Sequence, residues 1–497
     1  METGSRLRRT LVTGGVGLAL LVAPAAAAGS GGDFEPGASG AGDPYFPFSG
    51  NGGYDVLHYD LDLTYTPPEA APAPLTGQLD GKARIKLRAT QDLSRFNLDL
   101  RGLEVDSVRI DGMKAHEVTA PPAGTSVKGR VFWHVQDDAE REWELTVQPR
   151  AGIRAGRTVT VVVRYGGATT VPTDIEGVPY GWVTTRDGAM VVNEPDGAMT
   201  WYPVSDHPTD KATYDFKVTV PKGKVAVANG LPAREPRTRR GWTTWWWDAP
   251  DQMASYLSTA SVGDYDLRES ETASGLPIID AVDDALTPAD LAETEASLAL
   301  EPEMIGFLEQ FGPYPFNSAG SIVDDDSVGY ALECQTRPVY SEVADESTVM
   351  HELAHQWFGN AVSPYRWADI WLNEGWATYA QWIWSEDQGG DTAQQAFDQV
   401  MGIPATSSFW DVVVADPGPF GLFSGAIYSR GAATLFALRQ KIGDDAFLEG
   451  AREWVARYDD GTASTADFEA LMEEVSGQDL GAFFDVWVRT PEKPTSW

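Results

Sequence analysis

His351 and His355 stand four residues apart in the segment His351-Glu352-Leu353-Ala354-His355. Residues with this spacing lie one above the other on the same face of an α-helix, which has about 3.6 residues per turn. Two imidazoles placed in this way can direct nitrogens at one point, as tetrahedral zinc requires. The chain has 6 histidines, and this is their only pair four residues apart. The segment therefore predicts a helix that carries two ligands of one metal ion.

A third metal ligand is needed, because a catalytic zinc typically keeps three protein groups and one open position. Glu374 stands 19 residues after His355, inside a segment, 371–377, that has the character of a second helix. The sequence therefore predicts one Zn²⁺ per chain, held by His351, His355 and Glu374. Glu352, one step after the first histidine, is placed to contact a zinc-bound water rather than the zinc itself.

The N-terminus has the pattern of a secretory signal peptide over residues 1–28. A positive start that contains Arg8 and Arg9 precedes the apolar run Leu11–Val22. Small residues at 25–28 then offer a cleavage site. The pattern predicts a secreted protein, exported by the Sec route or, given the arginine pair, by the twin-arginine route. After signal removal, no stretch is long and apolar enough to span a bilayer.

The charge balance is strongly acidic, with 37 Lys and Arg against 73 Asp and Glu and a formal net charge of −36. Such a chain repels phosphate backbones and anionic lipids, so neither nucleic acid nor an anionic membrane is an expected partner. The charge leaves a mild preference for cationic peptides open. Cys334 is the only cysteine, so no intrachain disulfide can form and stability must come from packing and metal.

The first half of the chain has the period of β-structure. Residues 29–53 are rich in Gly, Ser, Pro and Ala and are expected to form a flexible lead-in. From Tyr54 to Tyr65, apolar residues mostly alternate with Asp and Thr, as in a half-buried strand. An antiparallel β domain is therefore predicted over residues 54–263. Its further strand candidates are 82–88, 95–100, 105–110, 143–147, 158–164, 214–220, 224–229 and 242–248.

The second half has helical spacing instead. Thr287 has the character of an N-cap and Pro288 suits the first helical position, which predicts a helix over 287–310. Pro302 is expected to kink or divide that helix. A lone strand is expected before it, at 276–280. The other helix candidates, which complete a mainly helical domain predicted over 264–497, are 347–360, 373–384, 429–442 and 464–475.

Further motifs accompany the metal pattern. They are Asn-Glu-Pro with Trp-Tyr-Pro and Asp within 193–206, Phe-Gly-Pro-Tyr-Pro-Phe at 311–316, Tyr-Ala-Leu-Glu-Cys at 330–334 and Tyr-Ser-Arg-Gly at 428–431. With the metal pattern, they resemble the aminopeptidase N (membrane alanyl aminopeptidase) family of gluzincin metallopeptidases. The resemblance implies a multidomain α+β fold. An N-terminal antiparallel β saddle or sandwich precedes a mainly helical, thermolysin-like catalytic domain, in a short form without the family's frequent large C-terminal helical domain.

The resemblance also implies the roles of four side chains. Glu352 would act as the general base and later deliver the proton to the leaving amine. Tyr428 would stabilise the oxyanion. Glu333, and with it Glu194, would hold the free α-ammonium of the substrate, so that only the first peptide bond is addressed. The expected function is that of a secreted zinc aminopeptidase whose partners are peptides with a free N-terminus.

Three positions depart from the family's pattern. Tyr330 stands where the family has Gly, Cys334 where it has Asn, and Val192 where a Gln is common. These changes affect amine binding and the first specificity pocket, whereas Glu333 keeps its carboxylate.

Two other functions stay open. One is a zinc endopeptidase or other zinc hydrolase on the same scaffold, and the other is a non-catalytic, zinc-stabilised binding protein. Glu352 favours an enzyme, because a scaffold needs metal ligands but no base. The sequence does not indicate the oligomeric state, the preferred N-terminal residue or the natural substrate.

Asp324, Asp325 and Asp326 form a short acidic run outside these motifs. The spaced Gly and Glu of an EF-hand loop are missing around it. The run is therefore predicted to be a solvated loop rather than a calcium site.

Overall fold

The alternation that begins at Tyr54 forms a long strand, Tyr54–Thr66, whose inward side chains are buried. A second strand of the same length, Gly77–Ala89, pairs with it in antiparallel register. The structure, a computed structural model, describes residues 33–68, 75–122, 125 and 127–496. The predicted signal peptide, residues 1–28, lies outside the described residues.

The strands of the first half build three sheets. In chain order they are β1 (Glu35–Pro36), β2 (Tyr54–Thr66), β3 (Gly77–Ala89), β4 (Leu93–Asp99), β5 (Glu104–Ile110), β6 (Met113–Lys114), β7 (His116–Glu117), β8 (Val131–His134), β9 (Glu144–Gln148), β10 (Thr158–Thr169), β11 (Gly181–Thr184), β12 (Ala189–Val192), β13 (Ala212–Pro221), β14 (Val225–Ala228), β15 (Leu231–Pro232), β16 (Arg237–Arg239), β17 (Trp242–Met253) and β18 (Ala260–Gly263). Every strand candidate from this half lies on one of them, so the β character is confirmed.

The largest sheet has nine strands, ordered β15-β17-β13-β2-β3-β10-β5-β6, with β16 paired to β17. A five-stranded sheet, β1-β4-β9-β8-β7, and a four-stranded sheet, β11-β12-β18-β14, accompany it. Pairing is mostly antiparallel, as predicted, but three pairs of strands run parallel: β13 with β2, β1 with β4, and β7 with β8. Parallel neighbours are joined by a long connection rather than a hairpin, and local alternation does not indicate which strands pair in this way.

The second half adds six short strands and nine helices within the described residues. The strands are β19 (Tyr265–Glu271), β20 (Pro277–Asp283), β21 (Ile322–Asp324), β22 (Val339–Ser341), β23 (Val362–Pro364) and β24 (Gly461–Ala463). The helices are α1 (Pro288–Leu298), α2 (Glu301–Leu308), α3 (Glu346–Ala354), α4 (Trp371–Asp387), α5 (Ala393–Gly402), α6 (Gly425–Ile442), α7 (Asp444–Tyr458), α8 (Thr465–Ser476) and α9 (Gly481–Phe484). None of these described helices has the length and hydropathy to cross a lipid bilayer.

The predicted β-then-helix order is confirmed, with local corrections. The helix predicted over 287–310 is divided into α1 and α2, as Pro302 indicated. The strand predicted at 276–280 is not alone, because β20 lies inside the sheet β19-β20-β21-β22. Its partner β21 is about 40 residues away in sequence, and local periodicity carries no signal of such pairing.

The segment before β2 is packed, which differs from the flexible lead-in predicted there. Asp43 and Phe46 are buried, and the Asp43 carboxylate accepts a 2.9 Å hydrogen bond from the backbone N–H of Trp367. Gly50 has a φ of +71°, and a Cβ at this residue would lie 2.4 Å from the Cβ of His207. The glycines of this segment therefore serve tight turns and close packing.

The described residues from Phe34 onwards form one compact unit. The domain boundary predicted after Gly263 falls between β18 and β19 and stays a prediction. Among the helices that matter for the site, α4 packs against both α3 and α6.

Candidate metal centre and active site

The histidine pair lies on α3, which begins at a capped N-terminus. The side chain of Asp345 accepts hydrogen bonds from the backbone N–H (3.1 Å) and hydroxyl (2.6 Å) of Thr348. This cap satisfies donors that the first helical turn leaves free. The helix ends at Ala354, so the predicted end at 360 is wrong: His355 is the C-cap, and the chain then turns. The helical bond from the His355 N–H to the His351 carbonyl (3.3 Å) keeps both rings on one face.

The three predicted metal ligands converge. Nε2 of His351 lies 3.1 Å, and Nε2 of His355 3.6 Å, from the same carboxylate oxygen, Oε2 of Glu374. The two imidazole centroids are 4.7 Å apart. Glu374 belongs to the first turn of α4, which packs against α3. One donor atom from each residue therefore faces a common point, as the sequence predicted.

The other nitrogen of each imidazole is held by a hydrogen bond. Nδ1 of His355 lies 3.1 Å from the carbonyl oxygen of Phe358, and Nδ1 of His351 lies 3.1 Å from Oε1 of Gln381. Because both partners are acceptors, each Nδ1 carries a proton and donates it, which leaves Nε2 as the nitrogen of each ring that would bind a metal.

Gln381 was missed by the sequence reasoning. It follows Glu374 by seven residues on α4, two helical turns along the same face. That spacing was readable in the sequence, but nothing local indicated that a glutamine there meets a histidine of α3.

The electrostatics of the site favour a bound cation. Burial raises the pKa of Glu333 to about 7 and also raises the pKa of Glu352. Burial lowers the pKa of His355, but the carboxylates of Glu333 and Glu374 outweigh it and raise this pKa to about 10. At Glu374, burial raises the pKa, but His355 and His351 together lower it to about 2. The cluster holds an excess of negative charge that a divalent cation would neutralise.

The donor set fits zinc. Two imidazole nitrogens and one carboxylate are a known ligand set of catalytic zinc, which keeps a further position open. The hydrogen-bonded Nδ1 atoms supply the outer partners that orient such histidines. His351, His355 and Glu374 would therefore hold the ion, with one side open to a cavity.

That cavity has a volume of about 460 Å³. It is lined by all seven predicted site residues and, in addition, by residues of the loop before β11 and by Phe423, which lies just before α6. Its described lining residues are Asp174, Glu176, Val178, Glu194, Gly329, Tyr330, Ala331, Glu333, Thr348, His351, Glu352, His355, Glu374, Phe423 and Tyr428. The site thus joins residues from both halves of the chain.

Glu194 and Glu333 place buried carboxylates beside the metal ligands. One oxygen of each lies within 4.8 Å of the other and of an oxygen of Glu374. Oε1 of each is buried and has no hydrogen-bond partner among the described residues. Burial raises the pKa of Glu194 above its ordinary value, and Glu333 adds to this shift. A buried carboxylate without a partner is costly, so these two oxygens call for a cationic or hydrogen-bonding ligand.

The backbone around Glu333 is held by the turn after α3. Its carbonyl oxygen accepts hydrogen bonds from the side-chain amides of Asn360 (2.7 Å) and Gln356 (3.3 Å). Both amides follow directly on the metal-binding helix. The position of the Glu333 carboxylate is therefore coupled to the position of the histidines.

Tyr428 reaches the metal centre through a close helix crossing. Its ring lies 5.9 Å from the ring of His351, nearly parallel to it. A Cβ at Gly431 would lie 2.9 Å from the Cα of Gly375, so α6 and α4 touch through two glycines. The absence of side chains at this crossing lets the first turn of α6 approach Glu374.

The three departures from the family pattern lie in different surroundings. Tyr330 lines the cavity, and its hydroxyl donates a 2.9 Å hydrogen bond to the carbonyl of Pro179. Cys334 and Val192 are buried outside the cavity lining. Of the three, only Tyr330 is therefore placed to contact a ligand.

Comparison with known proteins agrees with this geometry. The sequence matches the Peptidase M1 N-terminal domain over residues 56–257 and the Peptidase family M1 domain over residues 330–487. The fold is similar to the crystal structure of an M1 zinc metallopeptidase from Deinococcus radiodurans, with a TM-score of 0.79 and 27% identity. That similarity covers 92% of this chain and 99% of the other.

Curated relatives include glutamyl aminopeptidase from Homo sapiens, which is 27% identical over 60% of this chain and 33% of its own length. Aminopeptidase N from Lactococcus lactis subsp. lactis is 27% identical over 59% of this chain and 38% of its own length. The chain thus spans less than half of the length of these two relatives. Its two matched domains, their order and the fold they share show that it belongs to peptidase family M1.

Proposed function

We propose that the protein is a zinc aminopeptidase, which hydrolyses the N-terminal peptide bond of peptides. One observation carries the proposal: Glu194 and Glu333, each with a buried Oε1 that has no hydrogen-bond partner among the described residues, both place a carboxylate oxygen within 4.8 Å of an oxygen of Glu374. A site for a substrate ammonium group thus adjoins a site for a metal ion. That adjacency favours cleavage at the first residue of a chain.

The reaction would combine metal and protein chemistry. Zinc, when bound, supplies a Lewis acid that polarises the scissile carbonyl and lowers the pKa of water. Glu352 is buried in the cavity wall, and its burial raises its pKa, which suits a group that must both accept and return a proton. Glu352 would accept a proton from the attacking water and deliver it to the leaving amine.

Tyr428 would stabilise the negative charge that develops on the substrate oxygen. Its phenol lines the cavity beside His351. Burial raises the pKa of Tyr428, and the surrounding glutamates add to this shift. The hydroxyl therefore stays protonated at neutral pH and can donate a hydrogen bond.

Glu333 and Glu194 would fix the substrate's amine. A protonated α-ammonium has three N–H donors, and charge-assisted bonds to two carboxylates would hold it in one place. The scissile carbonyl of the first residue would then face the metal centre, whereas an internal bond would leave both carboxylates unpaired. Relatives support this assignment: a variant of the Deinococcus radiodurans enzyme was solved with a Tyr-Ser-Ala substrate, and the curated relatives are aminopeptidases.

The exopeptidase character is tested with paired substrates. Aminoacyl-arylamides with a free and with an acetylated N-terminus are offered to the zinc-loaded protein. We expect cleavage of the free form only, and about 10- to 100-fold lower kcat/KM for the free form in Glu333→Gln, since one charge-assisted bond is lost. Equal cleavage of both forms, or a preference for internal bonds, would point to an endopeptidase.

Catalysis itself is tested with Glu352→Gln. This variant keeps the side-chain shape and should retain zinc, while kcat falls by about 10²- to 10⁴-fold because the general base is gone. Glu346→Gln, on the same helix but outside the cavity lining, is the control and should keep its activity. Unchanged turnover in Glu352→Gln would overturn the mechanism, and no turnover in the parent protein would indicate a zinc-stabilised binding protein.

We further propose that the protein is exported. The proposal is supported by the positive start, apolar run and small-residue site within residues 1–28. Mass spectrometry of the protein secreted by its native host should find a chain that begins close to residue 29. Recovery of the chain with Met1 inside the cells would overturn it.

A further inference from the structure

Three aspartates from separate segments meet outside the lining of the active-site cavity. Asp187 lies in the turn between β11 and β12, Asp283 is the last residue of β20, and Asp325 follows β21. One carboxylate oxygen of each lies within 4.8 Å of those of the other two. They line a cavity of about 370 Å³ that shares no described lining residue with the active-site cavity.

Asp283 is the unusual member of this group. Asp283 is only 2% exposed to solvent. Oδ1 accepts a 2.7 Å hydrogen bond from the backbone N–H of Ala285, but Oδ2 is buried and has no hydrogen-bond partner among the described residues. Asp283 also has no lysine, arginine or histidine within ion-pair distance in the described part of the chain. A buried carboxylate in this state needs compensation from a proton or a cation.

The neighbouring bases do not supply that compensation to Asp283, because they pair with other carboxylates, including those of Asp187 and Asp325. Lys224 donates to the carboxylates of Asp187 (2.9 Å) and Asp264 (2.7 Å). Arg186 pairs with Asp325 and, at 2.8 Å, with Asp326. Two positively charged side chains thus lie among six carboxylates, those of Asp187, Asp264, Asp283, Asp284, Asp325 and Asp326.

The charge excess is reflected in the titration of Asp283. Burial raises the pKa of its carboxyl, and the nearby Asp187, Asp325 and Asp264 raise it further, to about 7. Without a cation, this group is therefore held partly protonated near neutral pH.

We propose that Asp187, Asp283 and Asp325 form a binding site for a calcium ion. The donors are oxygens only, which is the ligand set of hard divalent cations. Calcium–oxygen distances are about 2.3–2.6 Å, so any two oxygens bound to the same ion are at most about 5.2 Å apart. One oxygen from each of the three carboxylates lies within 4.8 Å of the other two, which satisfies this limit. Magnesium requires shorter distances and near-ideal octahedral geometry, which three loops of different origin are less suited to provide.

The site would fasten the two halves of the chain to each other. Asp187 belongs to the β11–β12 hairpin of the first half, whereas β20 and β21 belong to the sheet that opens the second half. Asp324, which precedes Asp325 in the chain, is buried, and its carboxylate accepts a hydrogen bond from the buried Tyr265 hydroxyl. The prediction of a solvated loop for residues 324–326 is thus corrected: Asp324 is fully buried, and Asp325 faces Asp187 and Asp283.

Binding is tested with the zinc-loaded full chain, from which calcium has been removed by a calcium-selective chelator. Terbium replaces calcium and is excited through nearby aromatic rings, and Tyr265 and Trp245 lie next to Asp324 and Lys224. We expect saturable terbium emission that calcium displaces. Calcium at about 100 times its Kd should also raise Tm by about 2–3 °C, because it binds only the folded state.

Asp283→Asn is the discriminating variant. It should weaken terbium binding by at least about 10-fold, since a charged ligand is lost, and abolish the calcium-dependent rise in Tm. Asp106→Asn, an exposed strand residue outside the cavity, is the matched control and should behave like the parent. If Asp283→Asn does not fold, Asp325→Asn takes its place, because its side chain is nearer the surface.

The results of these measurements distinguish a calcium site from its alternatives. No terbium emission, or an equal response in Asp283→Asn and the parent, would overturn the site. An equal rise in Tm with magnesium at the same concentration would overturn the assignment to calcium. Hydrolysis of a free aminoacyl-arylamide serves as an independent check that the zinc centre is intact in each variant.

Discussion

Nδ1 of His351 lies 3.1 Å from Oε1 of Gln381. The orientation of this amide is determined on its other side, where Nε2 of Gln381 donates 2.9 Å hydrogen bonds to the carbonyl and hydroxyl oxygens of Ser347. Oε1 must therefore face the imidazole and accept its proton. The relationship fixes the tautomer in which Nε2 of His351 is free to bind a metal.

Replacing Gln381 by Leu should weaken zinc binding by about 10- to 100-fold, because the outer partner of a metal-binding histidine is lost. Zinc affinity is measured by competition with a chromogenic chelator. Gln394→Leu, at an exposed position of α5, is the control and should leave the affinity unchanged. If Gln381→Leu binds zinc as tightly as the parent, the hydrogen bond does not tune the ligand.

The crossing of α4 and α6 predicts the effect of a single methyl group. Ala at Gly431 would place its Cβ 2.9 Å from the Cα of Gly375, which backbone atoms cannot tolerate without a shift. We expect Gly431→Ala to lose about 1–3 kcal/mol of stability and to move Tyr428 away from His351, which lowers kcat. Gly425→Ala, in the same helix with open space around it, should change neither Tm nor kcat appreciably.

Equal activity in the two glycine variants would show that the position of Tyr428 does not depend on this contact. Chemical denaturation and kinetics with a free aminoacyl-arylamide provide both measurements. A loss of stability without loss of kcat would limit the glycine pair to a packing role.

Glu144 predicts a pH dependence of stability. Both of its carboxylate oxygens are buried without a hydrogen-bond partner among the described residues. Burial raises its pKa well above the ordinary 4.5, and the adjacent Asp99 raises it further. The folded state therefore binds this proton more tightly than the unfolded chain. The resulting stabilisation is complete below the unfolded-state pKa and is lost as the pH rises through the folded-state pKa.

Glu144→Gln mimics the protonated carboxyl and cannot lose its proton. As the pH rises from about 5.5 to about 9, above the unfolded-state pKa, the Tm of this variant should therefore fall less than that of the parent. Differential scanning calorimetry with saturating zinc measures both profiles. Glu140→Gln, at an exposed neighbouring position, should follow the parent. Parallel profiles for Glu144→Gln and the parent would contradict the buried, protonated carboxyl.

The active-site cavity predicts a charge preference. Its described lining residues include six carboxylates and no lysine or arginine. Glu176 lines this cavity and is solvent-exposed, and it is not one of the metal-ligand candidates. Glu176→Gln should lower kcat/KM for an arginyl-arylamide relative to a leucyl-arylamide by about 2- to 5-fold, the effect of one solvent-screened charge.

This preference should weaken at high ionic strength, because exposed charges are screened. A ratio of arginyl to leucyl activity that is the same in Glu176→Gln and the parent, at low and high salt, would show that the loop charge does not select substrates.

The sequence by itself determined the elements whose signals are local. His351 and His355 are brought onto one face by helix geometry alone, and the alternation from Tyr54 to Tyr65 produces strand β2 by the same kind of rule. Glu374 could be identified as the third candidate metal ligand, because the segment around it has helical character and follows His355 at a suitable distance in the chain. These predictions hold because 3.6- and 2-residue periods follow from backbone geometry, not from tertiary contacts.

Only the tertiary structure decided which distant residues meet. Three contacts join segments that are 30 to 96 residues apart in the chain: Gln381 with His351, Gly431 with Gly375, and Asp187 with Asp283. The packing of residues 33–53 and the pairing of β20 with β21 likewise depend on contacts between segments that are distant in the chain. Such contacts depend on how whole elements pack, and a local pattern carries no record of the partner that burial will select.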